Sequence, residues 1–448
     1  MSPRPVVPKA APTAAAGEGT PIGTEEISQA ARDAVIHTLP LFEMARMRAA
    51  TSPRKHPVHG FAASEPTSTL RWVNLFTHTR RLLTPNDREV VTPNNDTLYT
   101  NAWLDLSDGP LVIEVPDMGE RYWTLGFLDM WTNPFAYAGR RTTGNRAQRL
   151  FVHGPRWRGE VPAGLVGIAA PGADLWIIGR ILVDPDEADI ASVGALQQQF
   201  AILRASDLEP AARIVDTVMN GRKTDTPDAD EYAAIVDAAW ARNPAAEDDT
   251  AARADWHRTK AEGVAALQAA LVQVCSSLRH EAQASQVGGG WSIPVTVRNG
   301  YGTQTLLRAR VARNLIGALG IEEAMYPVAE VDAEGLPLDG RHAYELYFPP
   351  GAAPQVDAFW SLTMYRKSTC LLVDNPIDRY SIGDRTPGLR YEADGGLRIA
   401  IQVDAPSDPG ANWLPAPREP FYLTLRLYQP RRAHLEFSFT YPPLRRLD

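Results

Sequence analysis

The sequence predicts a mainly β protein with helices: two β-sandwich domains, the second of jelly-roll type, plus an N-terminal helix and a helical subdomain. Three observations carry this. Short runs rich in Val, Ile, Leu, Tyr and Trp, punctuated by Pro, Gly, Asn and Asp, fill residues 52–185 and recur from Tyr326 onward. Residues 186–287 lose that pattern and take up helical periodicity. The 448 residues include 37 prolines and 33 glycines, enough turn formers for many short strands.

Residues 1–22 are rich in Pro, Ala and Gly and read as a disordered tail with no apolar run of secretory-signal kind. A helical element follows over residues 23–51. Thr24 with Glu25 and Glu26 reads as its N-cap and acidic first turn, and Ile27, Ala31, Val35, Leu39 and Phe42 share a face. Pro40 predicts a kink or break near Leu39. LVIEV (Leu111 to Val115), YWTLGFLDM (Tyr122 to Met130) and DLWIIGRILVD (Asp174 to Asp184) read as strands of an antiparallel sandwich over 52–185. Three or four helices without strands are expected over 186–287, with Asp-rich joints at Asp225 to Glu231 and Glu247 to Asp249 as caps. Gly288, Gly289 and Gly290 read as a flexible joint. In the last domain, 288–448, a helix over 303–319 should end at Gly320, before at least five strands.

A net charge of −8 argues against a nucleic-acid partner and an anionic membrane surface. No stretch approaches the roughly 18 apolar residues of a membrane span. The expectation is a soluble, cytoplasmic protein. Two cysteines, Cys275 and Cys370, exclude a disulfide framework and a zinc site of three or four cysteines. No phosphate-cradling loop, dinucleotide fingerprint or nucleophile elbow occurs. His56 and His59 lie close together, but Pro57 between them favours a polar loop over a metal site.

The densest polar stretch is TPNNDTLYTNAWLDL, residues 92–106. Asn94, Asn95, Asp96, Thr97 and Tyr99 run straight into apolar Leu98, Trp103 and Leu104. A carboxylate flanked by amides beside a buried strand is either an Asx-turn network or a ligand site, and both readings stand. In RYWTLGFLDMWTNPFAYAGRRTTG, residues 121–144, Arg121, Asp129, Asn133 and Arg141 interleave with aromatics. Asp129, Trp131 and Asn133 would share a face if the strand continued. That suits a polar small molecule, or a core closed by a buried Arg–Asp pair. A third cluster holds Trp360, Tyr365, Asn375, Arg379, Tyr380, Asn412 and Trp413, fitting a pocket rim or a sandwich edge.

These motifs carry a resemblance. PNNDTLYTNAWLDLSDGPLVIEVPDMGERYWTLGFLDMWTNPFAYAGRRTTG (93–144) resembles the signature of the DUF1254 domain. GYGTQTLLRARVARNLIGALGIEEAMYP (300–327), AFWSLTMYRKSTCLLVDNPIDRYSIGD (358–384) and GLRIAIQVDAPSDPGANWLPAPREPFYLTLRLYQP (396–430) resemble the DUF1214 domain that usually follows it. The resemblance implies a helical element, an immunoglobulin-like sandwich and a jelly-roll-like sandwich. It implies no function. It adds Tyr122, Tyr301 and Arg308 to the recurrent polar positions. The resemblance also implies that many relatives are exported by an N-terminal signal, a pattern from which residues 1–22 are read as departing. Tyr365-Arg366-Lys367 departs from the Asp and Gly that relatives often show there.

The expectation for function is an enzyme acting on a small polar or mixed-polarity metabolite, in a pocket between the two β domains. Asp96 is its general acid/base, Asp129 the second candidate, Arg121 and Arg141 the anion holders, and Tyr99 a proton or hydrogen-bond donor. Asn94, Asn95, Trp131, Asn133, Tyr301, Trp360, Tyr365, Asn412 and Trp413 would bind substrate. Hydrolysis, elimination or isomerisation without a cofactor is favoured, with a weaker option of Ca or Mg on Asp and Asn oxygens. The alternative is a non-catalytic carbohydrate-binding, lectin-like protein whose Trp131 and Trp413 stack on sugars. A homo-oligomer through the Ala-rich helices of residues 248–285 is a third idea.

Overall fold

The structure is a computed structural model of the chain, and residues 28–55, 68–88, 91–245, 248–280 and 284–447 are described. It is mainly β, with seven helices among the described residues. The Thr24 cap and the His56/His59 pair lie outside the described residues.

The first β unit is two facing sheets. One runs Thr77–His78, Thr97–Asp105, Asp174–Leu182, Trp123–Leu128, Pro134–Gly139, all antiparallel. The other runs Ala201–Arg204, Leu111–Val115, Gln148–His153, Val166–Ala169. Leu98, Leu104, Ile113, Phe127, Leu150 and Ile177 close the core between them. The expected antiparallel order fails at one pair: Gln148–His153 and Val166–Ala169 run parallel. A connection of a dozen residues, 154–165, joins them, as a parallel pair requires.

The second β unit repeats the plan. A seven-stranded sheet is built on Val356–Arg366 and Phe421–Pro430. A four-stranded sheet holds Trp413–Pro415, Leu397–Gln402, Tyr344–Phe348 and Leu444–Arg446. Leu346, Leu362, Ile399 and Leu425 lie in the shared core. Neither unit closes into a barrel. Every residue of Phe421–Pro430 is buried, so something must cover the face opposite its leucines.

Helix Gln29–Thr51 starts from Ser28, whose hydroxyl accepts from the Ala31 N–H at 3.1 Å. It runs unbroken through Pro40, so of the expected kink or break the break does not occur. A proline inside a helix costs roughly 3 kcal/mol. Burial on nearly every side offsets it: helices Ala229–Arg242, Thr250–Glu262, Val264–His280 and Thr305–Asn314 all pack on this one. Glu43, at 0% exposure, is neutralised there by Arg46 at 2.6 Å and by Arg313. The N-terminal helix is therefore the centre of the helical layer.

Three other expectations need revision. Two strands lie in the stretch read as purely helical, Ala201–Arg204 and Arg213–Asp216. Each is four residues long and pairs with a distant partner, so its periodicity is weak while tertiary pairing decides. The three glycines do not form a joint. They turn a hairpin between Ser285–Gly288 and Trp291–Ile293, all at positive φ, where a Cβ on Gly289 would sit 2.3 Å from the Tyr441 carbonyl. The C-terminal helix stops at Asn314, short of Leu319. Gly320 instead lets the chain pass the Arg298 carbonyl, 2.2 Å from where a Cβ would be. The apolar stripe of Val264–His280 (Leu267, Leu271, Val274, Leu278) is used internally, in the helical core.

Candidate functional site

Asp96 crosses between the β units. Asn94 shapes its turn: the Asn94 side-chain oxygen accepts from the Asp96 N–H at 2.7 Å and the Thr97 N–H at 3.2 Å. This is the Asx network the sequence allowed. The carboxylate itself reaches into the second unit. Ser361 Oγ donates to Asp96 Oδ2 at 2.7 Å, and Tyr428 Oη donates to the same oxygen at 3.3 Å. Arg385 lies 3.9 Å from Oδ1. Asn94 Nδ2 donates to Tyr428 Oη at 2.9 Å and completes the ring. So Asp96 is both turn and latch, although it is only 3% exposed.

Period-two alternation explains the partners. On Val356–Arg366, Trp360, Leu362 and Met364 enter the core, while Ser361, Thr363 and Tyr365 point the other way. On Phe421–Pro430, Leu423, Leu425 and Leu427 enter the core, leaving Thr424, Arg426 and Tyr428 on the opposite face. Register puts Ser361 beside Arg426 and Thr363 beside Thr424. The second unit therefore turns a polar sheet face toward the first.

A cleft of about 200 Å³ opens where these faces meet. Asn95, Asp96, Val183 and Asp184 line it from the first unit. Trp360, Ser361, Arg379, Tyr380 and Arg385 line it from the second. Arg385 also pairs with Asp184 at 2.6 Å and lies over the Phe359 ring. Beside the cleft, Asp384 accepts from the Trp360 N–H at 3.2 Å. Desolvation pushes the Asp384 carboxyl up to about 6.

The expected residues fall into separate places. Asn94, Asn95, Asp96, Trp360 and Tyr365 meet at this junction. The Tyr365 hydroxyl donates to the Pro93 carbonyl at 2.7 Å and receives Arg426 at 2.6 Å. Tyr99 is half-buried one layer back, its ring 5.8 Å from the Arg180 guanidinium. Asp129, Trp131, Asn133 and Tyr301 do meet each other, but beside helix Gln29–Thr51 and away from the cleft. Asp129 Oδ1 accepts from the Trp131 and Asn133 N–H groups, both at 2.9 Å, and Oδ2 from Asn133 Nδ2 at 3.0 Å. The chain turns there, Thr132 lying at positive φ, so the three residues do not share a strand face as expected. Burial pushes the Asp129 carboxyl up to about 6 against these hydrogen bonds. Asn133 Oδ1 accepts from the Tyr301 N–H at 3.1 Å, and Trp131 packs on His37 and Trp240.

Arg121 is held by Asp189 at 2.8 and 2.5 Å and by the Leu182 carbonyl, pinning helix Glu187–Gln197. Arg141 donates to Glu323 at 2.9 Å, and Tyr122 donates to the other Glu323 oxygen, also at 2.9 Å. Neither arginine lines the cleft. Asn412 clips the Arg390 and Arg398 carbonyls at 2.6 and 2.8 Å, and Trp413 donates to the Gln402 carbonyl. Both are structural ties within the second unit. The Trp131 and Trp413 rings are buried, so neither offers an open stacking face. Ser361, Arg385, Arg426 and Tyr428 were missed because each reads as an ordinary strand or loop residue. The signal was the polar half of the alternation on two strongly apolar strands.

Among the described residues no group of three or more His, Cys, Asp or Glu could hold a metal, and no helix is long and apolar enough to cross a membrane. Family models match residues 73–204 as "Protein of unknown function (DUF1254)" and residues 323–432 as "Protein of unknown function (DUF1214)". The chain is a DUF1254/DUF1214 domain-containing protein. Asp96 thus lies in the DUF1254 domain and Ser361, Arg385 and Tyr428 in the DUF1214 domain, so the cleft exists only where the two meet. The VPA0106 protein from Vibrio parahaemolyticus has a similar structure: TM-score 0.69 and 23% identity, covering 94% of this chain and 99% of that one. At that identity it shares the fold, and it does so across both domains. An uncharacterised protein from Burkholderia cenocepacia aligns at TM-score 0.41 and 12% identity, covering 94% of each chain, too distant to support an argument. No curated protein matches.

Proposed function

We propose that this protein is an enzyme acting on a small polar or mixed-polarity metabolite by acid/base chemistry, in the cleft between its DUF1254 and DUF1214 domains. One observation carries the reading. A buried carboxylate, Asp96, faces that cleft with Ser361 Oγ 2.7 Å and Arg385 3.9 Å away. Domain junctions are where ligand sites concentrate. Asp96 takes a proton from the substrate, from a water, or from Ser361. Arg385, held in place by Asp184, steadies negative charge as it forms. Tyr380 supplies apolar wall beside these polar groups. Hydrolysis, elimination and isomerisation all need only such a proton-transfer group and a charge partner. The carbohydrate-binding alternative leaned on Trp131 and Trp413, whose rings are buried, so the cleft favours the enzyme. The test is turnover by purified protein across ester, lactone, glycoside and hydroxy-acid panels. Turnover of one class supports the reading, and silence across all of them sinks it.

A further inference from the structure

Behind Asp96 the facing sheets bury two guanidinium groups, Arg180 and Arg426, at 7% and 5% exposure. Among the described residues neither has a carboxylate within 4.0 Å. Arg426 is held by the Thr92 and Pro93 carbonyls and the Tyr365 hydroxyl. Arg180 is held by the Tyr326 hydroxyl and lies over the Tyr99 ring. Both cations flank one ring, that of Tyr326, with guanidinium carbons 5.8 and 5.4 Å from its centroid. The Nε atoms of both arginines are buried without a hydrogen-bond partner, and so are the hydroxyls of Thr124, Thr363 and Thr424. Register places Thr124 beside Arg180, and Thr424 on the same strand face as Arg426.

A buried cation is stable when paired, and carbonyls and ring faces compensate it only in part. Buried donors without acceptors are costly in the same way. Asp96 brings negative charge near Arg426 but makes no direct bond to it, so what the two arginines lack is an anionic group with several acceptor oxygens in contact. Arginine meets carboxylate and phosphate through parallel N–H bonds, and the Tyr99 and Tyr326 rings, both only partly buried, offer flat walls beside it. We propose that the polar layer behind Asp96 takes the anionic group of the ligand, a carboxylate or phosphate bound by Arg180 and Arg426 beside Tyr326. This rests on the cleft being the reactive site proposed above, and it names the class of substrate: an acid, with Asp96 acting on the part that extends toward Ser361.

The experiment is calorimetric titration of the full chain with sodium malonate and with inorganic phosphate, at ionic strength fixed by sodium chloride. Binding of either anion by the wild type, weakened about 30-fold or more in Arg180→Met and Arg426→Met, is expected. Arg180→Lys, which keeps the charge, should lose less than Arg180→Met. Asp96→Asn should bind the anion several-fold more tightly, because it removes a nearby negative charge. No binding of either anion by the wild type overturns the inference, whatever the variants do. Binding unchanged in both methionine variants overturns it equally. Turnover of neutral substrates without anion binding would sink this inference and keep the enzyme. Arginine-dependent anion binding without turnover of any acid would do the reverse.

Discussion

Asp129→Asn separates a structural carboxylate from a reactive one, because the structure fixes its pH signature. Asp129 is buried and its carboxyl is raised from 3.8 to about 6 by desolvation. The folded state therefore holds the proton more tightly than the unfolded state. Its contribution to stability is fully present below pH 3.8 and lost as pH rises through about 6. That rise corresponds to about 3 kcal/mol. Asparagine is neutral at every pH, so it removes this term. Its amide would face the Asn133 amide that now donates to Oδ2, losing about 1–2 kcal/mol. The two backbone N–H bonds to Oδ1 survive. The variant should thus be less stable than wild type near pH 4 and equal or slightly more stable at pH 7. Urea unfolding of both proteins at several pH values measures the difference, and every other titrating group cancels in it. A difference constant to within about 0.5 kcal/mol from pH 4 to 7 refutes the reasoning.

The remaining predictions are simpler. Arg121→Met, which cuts two bonds to Asp189 and one to the Leu182 carbonyl, should cost about 1–2 kcal/mol in urea unfolding. The Asp189 carboxyl, now held low chiefly by Arg121, should rise. Gly340→Ala would place a Cβ 1.6 Å from the Pro417 carbonyl oxygen, so a loss of about 3 kcal/mol or more is expected as a lowered unfolding midpoint. His434 is buried and its pKa is pulled from 6.5 to about 4 by desolvation. The unfolded state then binds the proton better, so stability is present above pH 6.5 and falls by about 3 kcal/mol as pH drops toward 4. His434→Gln should flatten that limb of the stability curve.

Much of the β content was legible because alternation and turn chemistry agree along both units. LVIEV and YWTLGFLDM are strands close to where punctuation placed them. The Asp-rich joint also reads true: Asp228 caps helix Ala229–Arg242 through the Asp230 and Glu231 N–H groups. What failed was tertiary. Ala201–Arg204 is a strand only because Leu111–Val115 presents an edge to it. Pro40 sits in an unbroken helix only because four other helices enclose it. At the site, the density of amides around Asp96 was visible in one short stretch, whereas its partners lie 265 and 332 residues away along the chain. Ser361 and Tyr428 are marked locally only by the polar half of the alternation on their strands. Asp129 and Asp96 look alike in sequence, and only the surrounding fold separates a closed turn from an open cleft.

The most direct measurement is kcat for wild type and Asp96→Asn on the first substrate the panel yields, with far-UV circular dichroism to confirm that both are folded. If Asp96 transfers the proton, kcat falls by about 100-fold or more while the fold is retained. A folded Asp96→Asn protein with wild-type kcat would contradict the assignment, leaving Asp96 as a latch between two domains.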